Sequence, residues 1–309
     1  MNRPSAALLI LFGFLVTTAL EADPDFPVTL TDASGYRLTL AAKPKAIVSL
    51  TLATDEMLVE LVDPGRLKAI DQFAADPGIS NVAEFARNFP TKIAAEKERI
   101  LALQPDLVFL ADWKEKEFAQ ALREAGVPVF VFKAADNLDE LRDSVDHVAA
   151  LVGEPARGKA LNASIDGRLR SLTSRVSRVP ANRRLSILSY SFFGTTYAEG
   201  TSFDALVEQA GLVNAATRAG MKGWPQLSKE QVLALDPDII ALPSWSYGGK
   251  TDPEKFLASF LADPVFASLK AVKTKRVLLF QDRHLMSNSQ YMVDGVEDLA
   301  RAAYPELFR

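Results

Sequence analysis

The chain has 309 residues, enough for two compact units at the roughly 150 residues of an ordinary domain. It carries 35 basic against 39 acidic side chains, a formal charge of −4 that excludes the basic face a nucleic-acid binder needs. With 48% hydrophobic residues each unit can bury a core, and the absence of cysteine excludes disulfides, thiolate catalysis and Cys-based metal centres. The two histidines, His147 and His284, are too few for a three-imidazole cage, and no cofactor is expected.

Residues 1–22 read as an export signal. Arg3 supplies positive charge, Ala6 to Val16 is an unbroken apolar run, and small residues follow, with cleavage after Ala19 or Ala22. The apolar stretch from Ala6 to Leu20 is 15 residues, short of the roughly 20 needed to cross a bilayer. Without cysteine, lipid cannot be attached at the cleavage point. The expected product is a freely diffusing, monomeric periplasmic protein with no membrane span.

A first lobe is expected over residues 23–152. Ala46 to Leu50 reads as a strand, Asp55 to Val62 as a helix, and Leu67 to Ile70 as a second strand. Phe118 to Ala125 follows as a helix closed by Gly126, and Val127 to Phe132 as a further strand. Pro155 to Val176 has Ile165, Leu169, Leu172 and Val176 at helical spacing, so the connector over 153–180 is predicted to be a long stiff helix. In the second lobe, 181–309, the strands are Leu185 to Ser189 and Val277 to Phe280; the helices are Phe203 to Ala210 and Met292 to Ala303. The fold class is therefore α/β: two Rossmann-like lobes with parallel central sheets, joined by a long rigid helix.

A duplication supports the two lobes. Glu98 to Trp113, ERILALQPDLVFLADW, and Glu230 to Trp245, EQVLALDPDIIALPSW, share eight of sixteen residues at a constant offset of 132. In each copy a short helix meets Pro-Asp, which ends it, and a continuous apolar strand follows, as in sheets buried on both faces.

Together these features are similar to the class III periplasmic binding proteins, the soluble receptors of ABC importers for ferric siderophores, haem and cobalamin. The resemblance covers the mature chain and is carried by KAIVSLTLATDE (Lys45 to Glu56), ERILALQPDLVFL (Glu98 to Leu110), GTSFDALVEQAGLVN (Gly200 to Asn214) and WPQLSKEQVLALDPDII (Trp224 to Ile240). Leu52 departs from the family's usual proline. The resemblance implies an inter-lobe ligand cleft and an ABC importer permease as partner, with Glu98 and Glu230 matching the pair that meets permease arginines. Glu56 matches an acidic helix-start residue and is read as structural.

In open α/β sheets ligands bind beyond the carboxyl ends of the strands, so the loops after Leu50, Ile70, Leu110, Ser189, Leu242 and Phe280 should face one another. They are rich in aromatics. The candidate ligand-binding residues are Trp113, Tyr190, Phe192, Trp224, Trp245 and Tyr247, with Phe73 and Phe193 nearby; rings of this kind suit a large, partly flat ligand. Arg218 and Arg283, with Lys114, Lys222 and His284, would complement an anionic ferric siderophore. Phe89-Pro90-Thr91-Lys92 stands where haem-binding relatives carry a tyrosine, which disfavours haem, and Trp224-Pro225-Gln226 is close to cobalamin-binding members. The expected function is a receptor for a ferric siderophore or related metal chelate, with cobalamin as the alternative ligand.

The contrasting class is an exported α/β hydrolase or chelate-modifying enzyme. SWSYGGKT (Ser244 to Thr251) nearly fits a phosphate loop, but Ser244 replaces the required glycine and Pro253 crowds the helix start. No nucleophile-elbow or zinc-helix motif occurs, and no catalytic residue is assigned.

Overall fold

A computed structural model describes residues 25–112 and 116–309. The expected signal segment and Trp113 with Lys114 lie outside the described residues. An antiparallel hairpin, β1 (Val28–Thr31) and β2 (Arg37–Leu40), opens the chain. Its turn is built by Asp32, whose carboxylate accepts from the Ser34 and Tyr36 amides and, with its other oxygen, from Val131 N and Arg123. That carboxylate ties the hairpin to the edge of the first lobe.

The first-lobe sheet contains β3 (Ile47–Leu50), β4 (Leu67–Asp71), β5 (Lys92–Ile93), β6 (Leu107–Ala111) and β7 (Val129–Phe132), all parallel, in the order β5-β4-β3-β6-β7. The second contains β8 (Ser186–Ser189), β9 (Val213–Asn214), β10 (Ile239–Pro243) and β11 (Val277–Phe280), in the order β9-β8-β10-β11. Setting β3 beside β8 superimposes the two orders, with β5 the additional strand.

The duplicated Pro-Asp performs the same task in both lobes. The residue before each proline, Gln104 and Asp236, turns left-handed (φ 48° and 37°) and stops the short helix before it. The following carboxylate then pins the neighbouring strand. Asp106 accepts from Lys45 N and Ala46 N ahead of β3, and Asp238 accepts from Ser186 N and Oγ at the start of β8. The two central strands β3 and β6, and the start of β8, are thereby fixed in register.

Several boundaries shift. The first helix spans Leu52–Leu61 rather than starting at Asp55, with Thr51, in extended conformation, at its N-cap. The hairpin and the helix Leu138–Leu151 are additional to the predicted elements; the helix is capped by Asn137, whose side chain accepts from Asp139 N and Glu140 N.

The linking helix is Pro155–Val176, and it buries Ile165, Leu169, Leu172 and Val176. Arg168 reaches from it to Asp294 in a bidentate pair (2.8 and 3.1 Å). Gly158 lets the preceding helix approach: a Cβ there would stand 2.4 Å from Ala149 Cβ. One apolar core runs from Ile47 and Met57 through this helix to Leu206 and Val296, so the lobes share a packed interior.

Candidate functional site: an aromatic, acidic cleft between the lobes

The carboxyl ends of both sheets converge. Two chambers lie there, of about 280 Å³ on the first-lobe side and about 240 Å³ on the second. The first is bounded by residues 50–53 after β3, 71–73 after β4, Phe132 and Trp245. The second is bounded by Ser189, Tyr197, Phe203, Trp224, Tyr247 and Asp282. Ala134, Met286 and Asn288 line both, so the chambers are halves of one cleft. A larger groove of about 790 Å³ lies along the linking helix, away from the strand ends. Its Arg142 is consumed by Asp139 and Asp166 (both 2.7 Å), and we do not assign it as the binding site.

The floor of the cleft is stitched by Glu56. Its Oε2 accepts from Ser289 Oγ (2.5 Å) and Ser287 Oγ (3.3 Å), and its Oε1 from Asn81 N and Nδ2 (2.8 and 2.9 Å). Gln290 Nε2 donates to the Glu56 carbonyl (2.7 Å), and Asn81 Nδ2 also donates to the Arg283 carbonyl (2.7 Å). Burial pushes the Glu56 carboxyl above its ordinary range, although these donors oppose the shift. Asp55 beside it is fully buried and raised further by desolvation.

Asp282 organises the second-lobe rim. Its Oδ2 accepts from both Ser244 N and Trp245 N (2.6 Å each), which fixes the chain leaving β10. Burial lifts its carboxyl to about 6. Tyr197 is pushed up to about 12, by burial first and then by neighbours including Tyr247 and Asp282.

The sequence candidates divide. Trp224, 66% exposed, lines the second chamber together with Tyr247, and Trp245 lines the first. Trp245 stacks on Tyr247 with ring centroids 4.2 Å apart. Tyr190 turns inward instead, packing against Phe256, Phe260 and Phe266, and does not line the cleft. Phe192 sits behind the rim against Phe256 and Tyr247. Arg218 is exposed at the end of the short helix Ala215–Arg218, off the cleft wall. Arg283 donates Nε–H to Gln281, and His284 pairs through Nδ1 with Asp298 (2.6 Å); neither lines the cleft. Trp113 lies outside the described residues.

Residues that sequence reasoning passed over help organise the cleft, Asn81, Asp282, Met286 and Asn288, together with Glu56, read from the sequence as structural. Asp282 was open to inference, being the second residue after β11, where the strand-end rule directs attention. Among the described lining residues there is no Lys, Arg or His; the ionisable carboxylates are Glu56 and Asp71 in one chamber and Asp136 and Asp282 in the other. No group of three or more potential metal ligands clusters among the described residues. No helix among them is long and apolar enough to cross a membrane.

Residues 47–283 match the family model described as periplasmic binding protein. The chain belongs to the periplasmic binding protein family. It is 27% identical, over 98% of its length and 85% of the relative's, to a cobalamin-binding protein of Halobacterium salinarum. Its fold matches the molybdate-binding MolA of Haemophilus influenzae (TM-score 0.73, 20% identity, 91% of this chain and 92% of that one). It also matches the heme-binding RhuT of Roseiflexus sp. RS-1 (TM-score 0.72, 24% identity, 85% and 99%). The two lobes, their parallel sheets and the linking helix are those of the class III binding proteins, the solute-binding components of ABC importers. Exposed, corresponding glutamates mark both lobes: Glu98 in the helix Lys97–Ala102 before β6, and Glu230 in Lys229–Leu235 before β10.

Proposed function

We propose that the protein is an exported receptor whose cleft holds a bulky metal chelate without net negative charge, either a neutral or cationic ferric siderophore or a corrinoid, and delivers it to an importer permease. The observation that carries this is the wall of the cleft. Trp224, Trp245, Tyr247 and Phe73 offer aromatic surface, while the described ionisable groups are carboxylates with no cation among them. A tris-catecholate or oxyanion moved into such a site would lose its hydration and face like charge. A neutral, amide-rich chelate loses less on desolvation and presents hydrogen-bond donors that Asp282, Asp136 and the Asn288 side chain can meet. The expectation of an anionic siderophore rests on Arg218 and Arg283 with Lys114, Lys222 and His284; of these Arg218, Lys222, Arg283 and His284 line neither chamber, which favours a chelate needing no counter-charge. The cobalamin-binding relative is consistent with the corrinoid choice. Glu98 and Glu230 are assigned to permease docking, and the chain acts as a carrier with no catalytic residue.

The test mixes purified mature protein with cyanocobalamin, a neutral ferric hydroxamate, an anionic ferric tris-catecholate and haem. Co-migrating visible absorbance and tryptophan quenching are read, and the recovered chelate is checked for change. Retention of the hydroxamate or the corrinoid, recovered intact, supports the reading. Preference for the tris-catecholate, or chemical turnover of any chelate, refutes it.

A further inference from the structure

Trp245 crosses from the second lobe to the first. Its Nε1–H donates to Asp76 Oδ2 (2.8 Å), its ring lies edge-on to Phe73 (centroids 6.3 Å apart), and its other neighbour is Tyr247. Asp76 is a prepared acceptor: its Oδ1 takes the Gly78 amide (2.9 Å), closing a tight local turn. The indole is seated directly over that turn, since a Cβ on Gly78 would stand 2.6 Å from Trp245 Cδ1. Trp245 borders one chamber and the Tyr247 it stacks on borders the other. Each chamber, at about 280 and 240 Å³, is smaller than the roughly 300–1000 Å³ of pockets that enclose even drug-sized ligands. A bulky chelate needs both, with nothing strapped across them.

There are two ways to clear the strap, and the hydrogen bonds choose between them. Parting the lobes would break four bonds at the floor together: Ser287 and Ser289 to the Glu56 carboxylate, Gln290 to its carbonyl, and Asn81 to the Arg283 carbonyl. It would also strip Oε2 of the buried Glu56 carboxylate of both its donors and disrupt a core continuous through the linking helix. Rotating one side chain breaks one hydrogen bond at a half-buried position. We propose that Trp245 and Asp76 form a side-chain gate: cargo gains the cleft when the indole swings off Asp76, while the lobes stay fixed at Glu56. This rests on the cleft being the cargo site, but the gate can be observed with no cargo present.

The experiment follows the Trp245 indole N–H by ¹H–¹⁵N NMR of the whole mature protein, assigned by its loss in Trp245→Phe. Relaxation dispersion should report exchange on the microsecond-to-millisecond scale at this indole, with the Asn81 and Ser289 backbone amides quiet. Two variants open the gate by different means, Asp76→Ala by removing the acceptor and Gly78→Ala by displacing the ring. Each should move the indole resonance to that of a solvent-exposed tryptophan. In a Trp113→Phe, Trp224→Phe background, each should also raise acrylamide quenching of Trp245 severalfold. Matching dispersion at Asn81 and Ser289 would mean the lobes move as bodies and overturns the gate. Unchanged resonance and quenching in both variants would overturn it equally. Neither result depends on which chelate is bound, so failure of the gate and failure of the proposed cargo are separable.

Discussion

Ser289 Oγ donates to the Glu56 carboxylate across 2.5 Å, joining residues 233 positions apart and fastening the second lobe to the first beneath the cleft. The bond is buried at both ends and is one of several on the same carboxyl. It gives Glu56 a structural task that a helix-start residue does not ordinarily have.

Glu56→Ala should therefore destabilise the protein by about 3 kcal/mol, the scale for stripping a buried hydrogen-bond network of its hub. Donors on Ser287, Ser289 and Asn81 would lose their shared acceptor, and the two serines are buried. Glu56→Gln should cost less, because an amide oxygen still accepts and the burial penalty on a charged carboxyl disappears. Urea denaturation of the three proteins checks this; equal stability of Glu56→Ala and wild type would contradict it.

Asp282 predicts an unusual pH dependence. Its carboxyl is raised from 3.8 to about 6, so between those values the folded state holds a proton that the unfolded chain releases. Stability from this group is fully present below about pH 4 and declines as pH rises through 6, by about 3 kcal/mol for a shift of this size. Glu56 and Asp55, also raised by burial, add in the same direction. Asp282→Asn keeps an oxygen for Ser244 N and Trp245 N while removing the titration. Its unfolding free energy should fall less than that of wild type between pH 4 and 7. Identical pH slopes for the two proteins would refute the assignment.

The local rules that were legible in the sequence concern the strands. The Pro-Asp repeat located β6 and β10 because its chemistry is contained in a few consecutive residues, and the strand-end rule located the cleft from them. Tyr190 shows the limit. It stands at the end of β8, as Pro243 and Trp245 do at the end of β10, but its ring is drawn inward by Phe256, Phe260 and Phe266, which lie more than sixty residues away. Arg283 and His284 fail for a related reason. A four-residue helix, Asp282–Leu285, follows β11 and turns the consecutive Arg283 and His284 away from the cleft, leaving Asp282 and Leu285 lining it and His284 toward Asp298. Glu56 meeting Ser289 could not be read at all, because nothing local in either segment specifies the other.

Trp224 offers a test of aromatic contact free from folding effects. With 66% of its surface exposed, it contributes little to the core, yet it forms part of the second chamber. Trp224→Ala should leave the urea midpoint unchanged within error. For whichever chelate the wild type retains, it should weaken binding at least tenfold, the scale of an aromatic hot spot. Titration by tryptophan quenching or calorimetry measures it; unaltered affinity would remove Trp224 from the contact surface.

Glu98 and Glu230 sit in the first turns of helices that precede equivalent strands, one on each lobe, and both are exposed. Each position favours a carboxylate through the helix dipole alone, which would account for them without any partner. What separates the two accounts is transport. The Ser228 hydroxyl, with a backbone donor, holds the Glu230 carboxyl below its ordinary range, so it stays ionised throughout physiological pH. Two fixed anions well apart on one molecule orient an encounter and raise its rate more than they add affinity. Single Glu→Lys changes should slow uptake partially and the Glu98→Lys, Glu230→Lys double variant should abolish it, while chelate affinity and urea midpoint stay close to wild type. Uptake measured in cells or permease-containing vesicles at low and moderate salt decides the matter: wild-type transport by the double variant would reduce both glutamates to helix-capping charges.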